Sequence, residues 1–235
     1  IHELDGGVTN PQVSGNAYEV ALESFFGRVN YNFKDKYYIS GSVRRDGSSV
    51  FQEGSRWGTF YSVGASWRID QESFMDNVSF IDKLKVRASY GEVGNDDIGD
   101  SYLAQPRFTI TSNAANPAIL FTDIGNRDLV WETIESFDVA LEFGLFNNFL
   151  EGSVEYYRRN SSDLLYNLPI ALSNGLNQVP VNLGDMYNSG LEMALTANLI
   201  NTAEFDWNLT LQASTFKNEI TFLPDQFING SKRWA

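Results

Sequence analysis

The chain contains no cysteine and a single histidine, His2. Without cysteine there is no disulfide, thiolate zinc site, iron–sulfur cluster or cysteine nucleophile. One histidine is too few for a multi-histidine metal centre, and it leaves little room for a histidine-based triad. Positive charge is also scarce: 17 basic residues stand against 30 acidic ones, a formal net charge of −13. Phosphate contact needs clustered cations, so no nucleic-acid partner is expected. No apolar run approaches the ~20 residues of a membrane-crossing helix. The chain opens at Ile1 with neither Met nor a signal-peptide pattern, which reads as a processed protein or a fragment.

What is present is alternation. Over 235 residues, 43% are apolar and 14% aromatic, a content that belongs to folded chains. Phe25, Gly27, Val29, Tyr31 and Phe33 alternate with Ser24, Arg28, Asn30 and Asn32; Phe26 breaks the pattern. Tyr37, Ile39, Gly41 and Val43 alternate with Tyr38, Ser40, Ser42 and Arg44. Further runs centre on Trp57–Ile69, Lys83–Tyr90, Ser136–Phe143, Leu150–Tyr156, Leu191–Leu199 and Phe205–Ser214. Successive strand side chains point to opposite faces, so each run has one greasy and one wet face. About eight strands result, most near the ~9–11 residues that cross a bilayer at a tilt. Only Asp70–Asp82, with Phe74, Val78 and Ile81 at helical spacing, reads as helix.

Connections and aromatics sharpen the reading. Lys34–Lys36, Leu145–Asn148 and Asn201–Glu204 are tight, whereas Asp46–Arg56, Val93–Val130 and Asn160–Asp185 are long and polar. Alternate links of an antiparallel sheet fall at opposite ends, so one end carries turns and the other large loops. Membrane β-barrels have that asymmetry, and a compact soluble domain seldom carries a structureless link as long as 93–130. Tyr31, Phe33, Tyr37, Trp67, Phe143, Phe205 and Trp207 gather near the turn end; Trp57, Tyr90 and Trp131 gather near the loop end. Two aromatic girdles around an aliphatic band suit a lipid-facing surface. A soluble β-sandwich also alternates and stays open as the second reading.

Several strings carry a family resemblance. Phe26-Gly27-Arg28-Val29-Asn30-Tyr31-Asn32-Phe33-Lys34-Asp35-Lys36-Tyr37 and Arg44-Arg45-Asp46-Gly47-Ser48-Ser49-Val50-Phe51 come first. Leu84-Lys85-Val86-Arg87-Ala88-Ser89-Tyr90-Gly91-Glu92-Val93-Gly94-Asn95, Leu129-Val130-Trp131-Glu132-Thr133 and Gly190-Leu191-Glu192 follow in order. The chain resembles the barrel of SusC/RagA-type TonB-linked outer-membrane transporters from about Phe25 to beyond Glu192. Val50 and Arg127 depart from the family pattern. The resemblance implies an all-β fold, an antiparallel transmembrane β-barrel segment supplying about eight of some 22 strands. All of 1–235 would belong to one barrel domain, with 1–17 and 218–235 as extracellular loop. A plug domain and a TonB-contacting segment would lie elsewhere in a longer protein. The implied setting is the outer membrane of a Gram-negative bacterium. The implied role is energised import of large nutrients, oligosaccharides or peptides, with a SusD-like surface lipoprotein and TonB as partners.

Candidate residues follow from the two faces. Arg28, Arg44, Arg68, Lys85 and Arg87 stand on the polar side of the early runs; Asp138, Glu142, Glu151, Glu155, Glu192 and Asp206 stand on the later ones. Such opposed walls would either hold a plug of complementary charge or simply be solvated; on a lipid face each would cost ~2–4 kcal/mol at the midplane. Among the loops, Phe51, Tyr102, Phe121, Tyr166 and Tyr187 would either touch cargo and lid or pin the loops together. Asp96-Asp97-x-Gly99-Asp100 lacks EF-hand spacing and reads as a solvated loop. Glu151 and Glu155 share a strand face at ~13 Å, too far apart for paired-carboxylate hydrolysis. Gly91-x-x-Gly94 does not lead from a strand into a helix, so no phosphate loop is read. The expectation is therefore a barrel wall with no catalysis, metal or cofactor. A scaffold role in an outer-membrane assembly and a soluble β-rich binding module are the alternatives.

Overall fold

The computed structural model describes residues 19–223, apart from positions 98, 100, 101, 114, 115, 172, 174, 177 and 203. Twelve strands are present among them: β1 (Leu22–Phe33), β2 (Tyr37–Ser48), β3 (Trp57–Arg68), β4 (Ile81–Asn95), β5 (Arg107–Asn113), β6 (Asn116–Asp123), β7 (Glu132–Leu145), β8 (Leu150–Ser162), β9 (Leu165–Pro169), β10 (Gln178–Asn182), β11 (Asp185–Asn201) and β12 (Asp206–Phe222). Eight form one antiparallel sheet in the order β1-β2-β3-β4-β7-β8-β11-β12, and β5–β6 and β9–β10 are separate hairpins. Every sheet neighbour is the next long strand along the chain. The outer edges of β1 and β12 meet no strand among the described residues.

Register fixes the faces. Val29 pairs with Gly41, Ile39 with Ala65, Ala65 with Ala88, Ala88 with Val139, Val139 with Tyr156, and Tyr156 with Leu191. Directly opposed residues share a face, so one face is apolar across all eight strands. Its side chains are not packed in a core: Val29 is 71% and Leu211 58% exposed. On β1 the apolar face runs from Phe25 to Phe33, about 26 Å of strand at ~3.3 Å per residue. Tilted by about 40°, that length spans about 20 Å along the membrane normal, most of the ~25 Å apolar band of a membrane barrel. Three concavities, of 590, 370 and 350 Å³, open mainly on the other face. The sheet therefore curves around its polar side.

The turn end is tightly built. Lys34 and Asp35, at φ 55° and 54°, make the β1–β2 turn, closed by Lys36 N–H donating to Phe33 O at 3.1 Å. Two left-handed central residues match the right-handed twist of the strands they join. An aromatic belt lies beside this turn, with Tyr31, Phe33, Tyr37 and Trp67 following one another at 6.4 Å between ring centroids. Glu72 gathers its polar ends: Tyr37 Oη donates at 2.6 Å, Trp67 Nε1 at 3.1 Å and Lys36 Nζ at 3.2 Å.

That gathering corrects the helix expected over Asp70–Asp82. Glu72 is extended, at φ −84° and ψ 144°, and divides the segment into two short 3-10 turns, Ile69–Gln71 and Ser73–Met75. A helix nucleus would have to fix these same residues, but Asp70 and Glu72 are already held by strand partners. Asp70 accepts from Arg68 at 2.8 Å, Gln71 at 2.8 Å and Leu84 N–H at 3.3 Å. Two further expectations change. The long links 93–130 and 160–185 are not structureless, because each contains a hairpin. β12 runs to Phe222, five residues into the segment expected as loop, paired with β11 throughout. Positions 1–17 and 224–235 lie outside the described residues.

Burial pushes the Asp70 carboxyl upward, but the hydrogen bonds from Arg68, Gln71 and Leu84 outweigh it and leave the group below its usual value. Hydrogen bonds from Tyr37 and Trp67 likewise depress Glu72. A depressed carboxyl stabilises fully above its unfolded value, about 4, and loses that contribution as pH falls through the folded value. Acid titration below about pH 4 is therefore expected to speed hydrogen exchange over residues 69–80 before the strands respond. In Glu72→Gln this step shrinks to the Asp70 contribution.

Candidate functional site: the polar wall and its loop core

The polar face holds all eleven predicted wall residues, with Asp206 on β12 opposite Asn201. Arg68 lies beside Lys85, Lys85 opposes Glu142, and Arg87 shares its face with Ala140, Glu155 and Glu192 along the same ladder. Arg28 opposes Ser42, Arg44 opposes Phe60, Asp138 opposes Ser89, and Glu151 opposes Thr196. The walls are not opposed as expected, because β4 and β7 are neighbours despite the 36 residues between them. Glu142 draws Lys83 Nζ to 2.9 Å, Arg87 Nε to 3.4 Å and Lys85 Nζ to 3.9 Å, while Arg87 also reaches Glu155 at 2.6 Å. Arg44 and Arg68 pair locally with Asp46 and Asp70. Arg28, Asp138, Glu151 and Glu192 make no ion pair among the described residues. Uncompensated charge thus stays cationic on β1 and anionic on β7, β8 and β11, a reduced form of the predicted separation.

Above this wall, three loops share a core. Phe51, Phe60, Leu103, Leu129 and Trp131 are buried together, with Leu165 packed against them. Phe51 and Phe60 lie 5.2 and 5.7 Å from the Trp131 ring, the second edge-on. The Trp131 indole N–H donates to Arg56 O at 3.1 Å. Phe60 fits because Gly94 leaves its place open; a Cβ there would meet the Phe60 ring. Two asparagines clamp the loops. Asn182 Nδ2 donates to Val130 O and Asp163 O at 2.9 and 2.8 Å and its Oδ1 accepts from Val130 N–H, while Asn126 Nδ2 donates to Pro180 O at 2.9 Å.

The loop aromatics separate into different roles. Phe51, 1% exposed, is a core residue and offers no surface to cargo or lid. Tyr102 Oη accepts from Glu19 N–H at 3.0 Å, tying the loop to the start of β1. Phe121 is on β6, its ring 5.1 Å from Phe108, and Tyr166 is exposed on β9. Tyr187 is not a loop residue: it is in β11 opposite Glu219 and Asn160, on the same face as Leu191 and Leu195. It faces away from the polar wall and leaves the cargo set. Trp131 likewise leaves the loop-end girdle for the loop core. Sequence reasoning missed Trp131, Asn126 and Asn182 as loop clamps, since a side chain in an irregular link has no periodicity to read. The signal for Phe26 was its broken alternation: it stands on the polar face opposite Arg44, 82% exposed.

The family model described as TonB dependent receptor-like, beta-barrel, matches residues 3–234. The chain belongs to this family. It is similar to TonB-dependent receptor P39 of Formosa agariphila, at 38% identity over 88% of this chain and 20% of that protein. TonB-dependent receptor SusC of Bacteroides thetaiotaomicron is 33% identical over 86% of this chain and 21% of its own length. Among solved structures, the RagAB peptide importer in its closed-closed state superposes with a TM-score of 0.80 at 31% identity, covering 87% of this chain and 22% of that one. The siderophore receptor PirA of Pseudomonas aeruginosa, at 15% identity and a TM-score of 0.56, shares the fold. The chain spans about a fifth of the length of the curated relatives it matches. It is a section of an outer-membrane β-barrel wall of the SusC-like TonB-dependent receptor class, which is not an enzyme class. The apolar face is accordingly the lipid face and the polar face the lumen.

Trp131→Ala removes the ring on which two loops converge, and a buried Trp truncation costs about 3–5 kcal/mol. That energy holds loops rather than strands together. Limited proteolysis is therefore expected to cut within 49–56 and 102–131 in the variant, while the barrel keeps its heat-modifiable migration on a gel.

Proposed function

We propose that the full-length protein imports a large nutrient, an oligosaccharide or a peptide, across the outer membrane with energy from TonB, and that this section is part of the wall around the moving cargo. The observation that carries the reading is the likeness to the RagAB peptide importer over 87% of the chain at 31% identity. A wall whose β4 cations are neutralised in place supports it. Lys83, Lys85 and Arg87 are held by Glu142 and Glu155, so the lumen can contact a passing solute without a strong local trap. Uptake of labelled peptides and oligosaccharides into cells with and without TonB tests the proposal. Accumulation of either class that disappears without TonB is expected; assembly of an outer-membrane complex with no uptake would favour the scaffold role instead.

The unpaired lumen residues Arg28, Asp138, Glu151 and Glu192 are assigned to a plug domain of complementary charge. Reversing Arg28 to Glu is expected to lower the unfolding temperature of the full-length receptor by a few degrees, whereas the same change at exposed Arg45 leaves it unmoved. A lid contact is assigned to the β5–β6 hairpin. Phe108, Ile110, Ile119 and Phe121 lie on one of its faces, and Ile110 is 83% exposed at the loop end. Exposed apolar faces of this kind mark association sites, and a SusD-like lipoprotein is the partner that suits an external cover. Ile110→Asp with Ile119→Asp is expected to reduce co-purification of the lipoprotein at least tenfold without changing barrel folding.

A further inference from the structure

The outward displacement of Tyr187 exposes a second arrangement on the lipid face. Arg158, on β8, and Lys217, on β12, both oppose Ser189 of β11, one from each side. Strands lie about 4.8 Å apart, so the two cations stand some 10 Å apart at their backbones with a small hydroxyl residue between them. Their side chains converge on the Tyr187 ring, the Arg158 guanidinium at 4.4 Å and the Lys217 ammonium at 5.5 Å from its centroid. Glu219 anchors the group, accepting from Tyr187 Oη at 2.7 Å and Lys217 Nζ at 2.6 Å. Among the described residues Arg158 spends only Nε, on Asn160 Oδ1 at 2.9 Å, which leaves its terminal amino groups unspent. Two cations thus stand with Glu219 on one side and Glu135 of β7, opposite Asn160, on the other. One row nearer the turns come Tyr156, Leu191 and Thr215, where the aliphatic band begins.

Two cations on the lipid face, at the loop end of the hydrocarbon-contacting band, stand where headgroups of the outer leaflet must lie. We propose that Arg158, Ser189 and Lys217 form a recognition site for the phosphorylated headgroup of an outer-leaflet lipid. Arg158 supplies a forked donor and Lys217 a point charge. Ser189 leaves the gap that a phosphate enters, and Tyr187 holds the two cations in place. Continuity with the lipid-facing band argues for a membrane lipid over a soluble anion, since the acyl chains of the same molecule lie along Tyr156 and Leu191. The site is independent of cargo, plug and lid, so it stands or falls apart from the import reading.

The test is native mass spectrometry of the full-length receptor in detergent, titrated with phosphatidic acid, phosphatidylcholine or inorganic phosphate. Preferential binding of phosphatidic acid is expected, and removing a surface cation weakens such binding about fivefold. Arg158→Gln combined with Lys217→Gln should abolish the preference. Glu219→Gln, which frees Lys217, should strengthen it, a gain that misfolding cannot produce. Three results would overturn the proposal: equal affinity in the double variant, full competition by inorganic phosphate at the lipid's own concentration, or a dimer that the double variant dissolves without any lipid preference. The last would assign this face to a second copy.

Discussion

A sheet between hydrocarbon and water has to satisfy its backbone entirely by strand pairing, because lipid offers no hydrogen bonds. Everything else in this section of barrel wall follows from that requirement. Antiparallel neighbours supply the backbone pairing, and two-residue periodicity then gives each medium its own face. A single register slip would carry Arg28, Arg87 or Glu155 into lipid and Val29, Val86 or Val139 into the lumen. Pairing of each strand with its sheet neighbour, from β1 to β12, is therefore both the backbone's solution and the device that keeps charge out of the bilayer.

The two ends of the wall use different physics. At the turn end, short reversals leave little freedom, and Glu72 gathers a tyrosine, a tryptophan and a lysine from the belt into one polar knot. Amphipathic rings stay at the interface with their polar ends satisfied. At the loop end, chain length would be an entropic liability if the links were free. Two of them fold into hairpins, and Phe51, Phe60 and Trp131 give the assembly a hydrophobic core of its own. Loops fixed in this way form a shaped rim at that end of the wall.

Between those ends, the outward face changes character over a single row of residues. Tyr156, Leu191 and Thr215 belong to the band, while Arg158, Ser189 and Lys217 on the next row toward the loops do not. Glu92 and Glu135 oppose each other on the same side of the sheet, with Tyr90 Oη donating to Glu92 at 2.7 Å. Strands of 12 to 17 residues thus extend past the apolar band, and their last turns of pleat are built for headgroups and water.

Alternation by itself determined which face each strand residue takes. Val29, Ile39, Val86, Val139 and Leu195 share one side, and Arg28, Arg44, Lys85, Glu142 and Glu192 share the other, because a pleated backbone has period two wherever it lies. The tight Lys34–Lys36 turn and the asymmetry of the links were legible for the same reason, as local chain geometry. Only tertiary structure decided who meets whom. Glu142 neutralises Lys83 and Arg87 because β7 returns beside β4 after a long excursion, and no local pattern encodes that distance. Phe51 became core rather than contact surface because Trp131, eighty residues on, closes over it. The Asp70–Asp82 helix gave way because Glu72 found partners on β2 and β3. Periodicity is a property of one strand, whereas burial and charge pairing belong to pairs of residues that the chain brings together only when the sheet has formed.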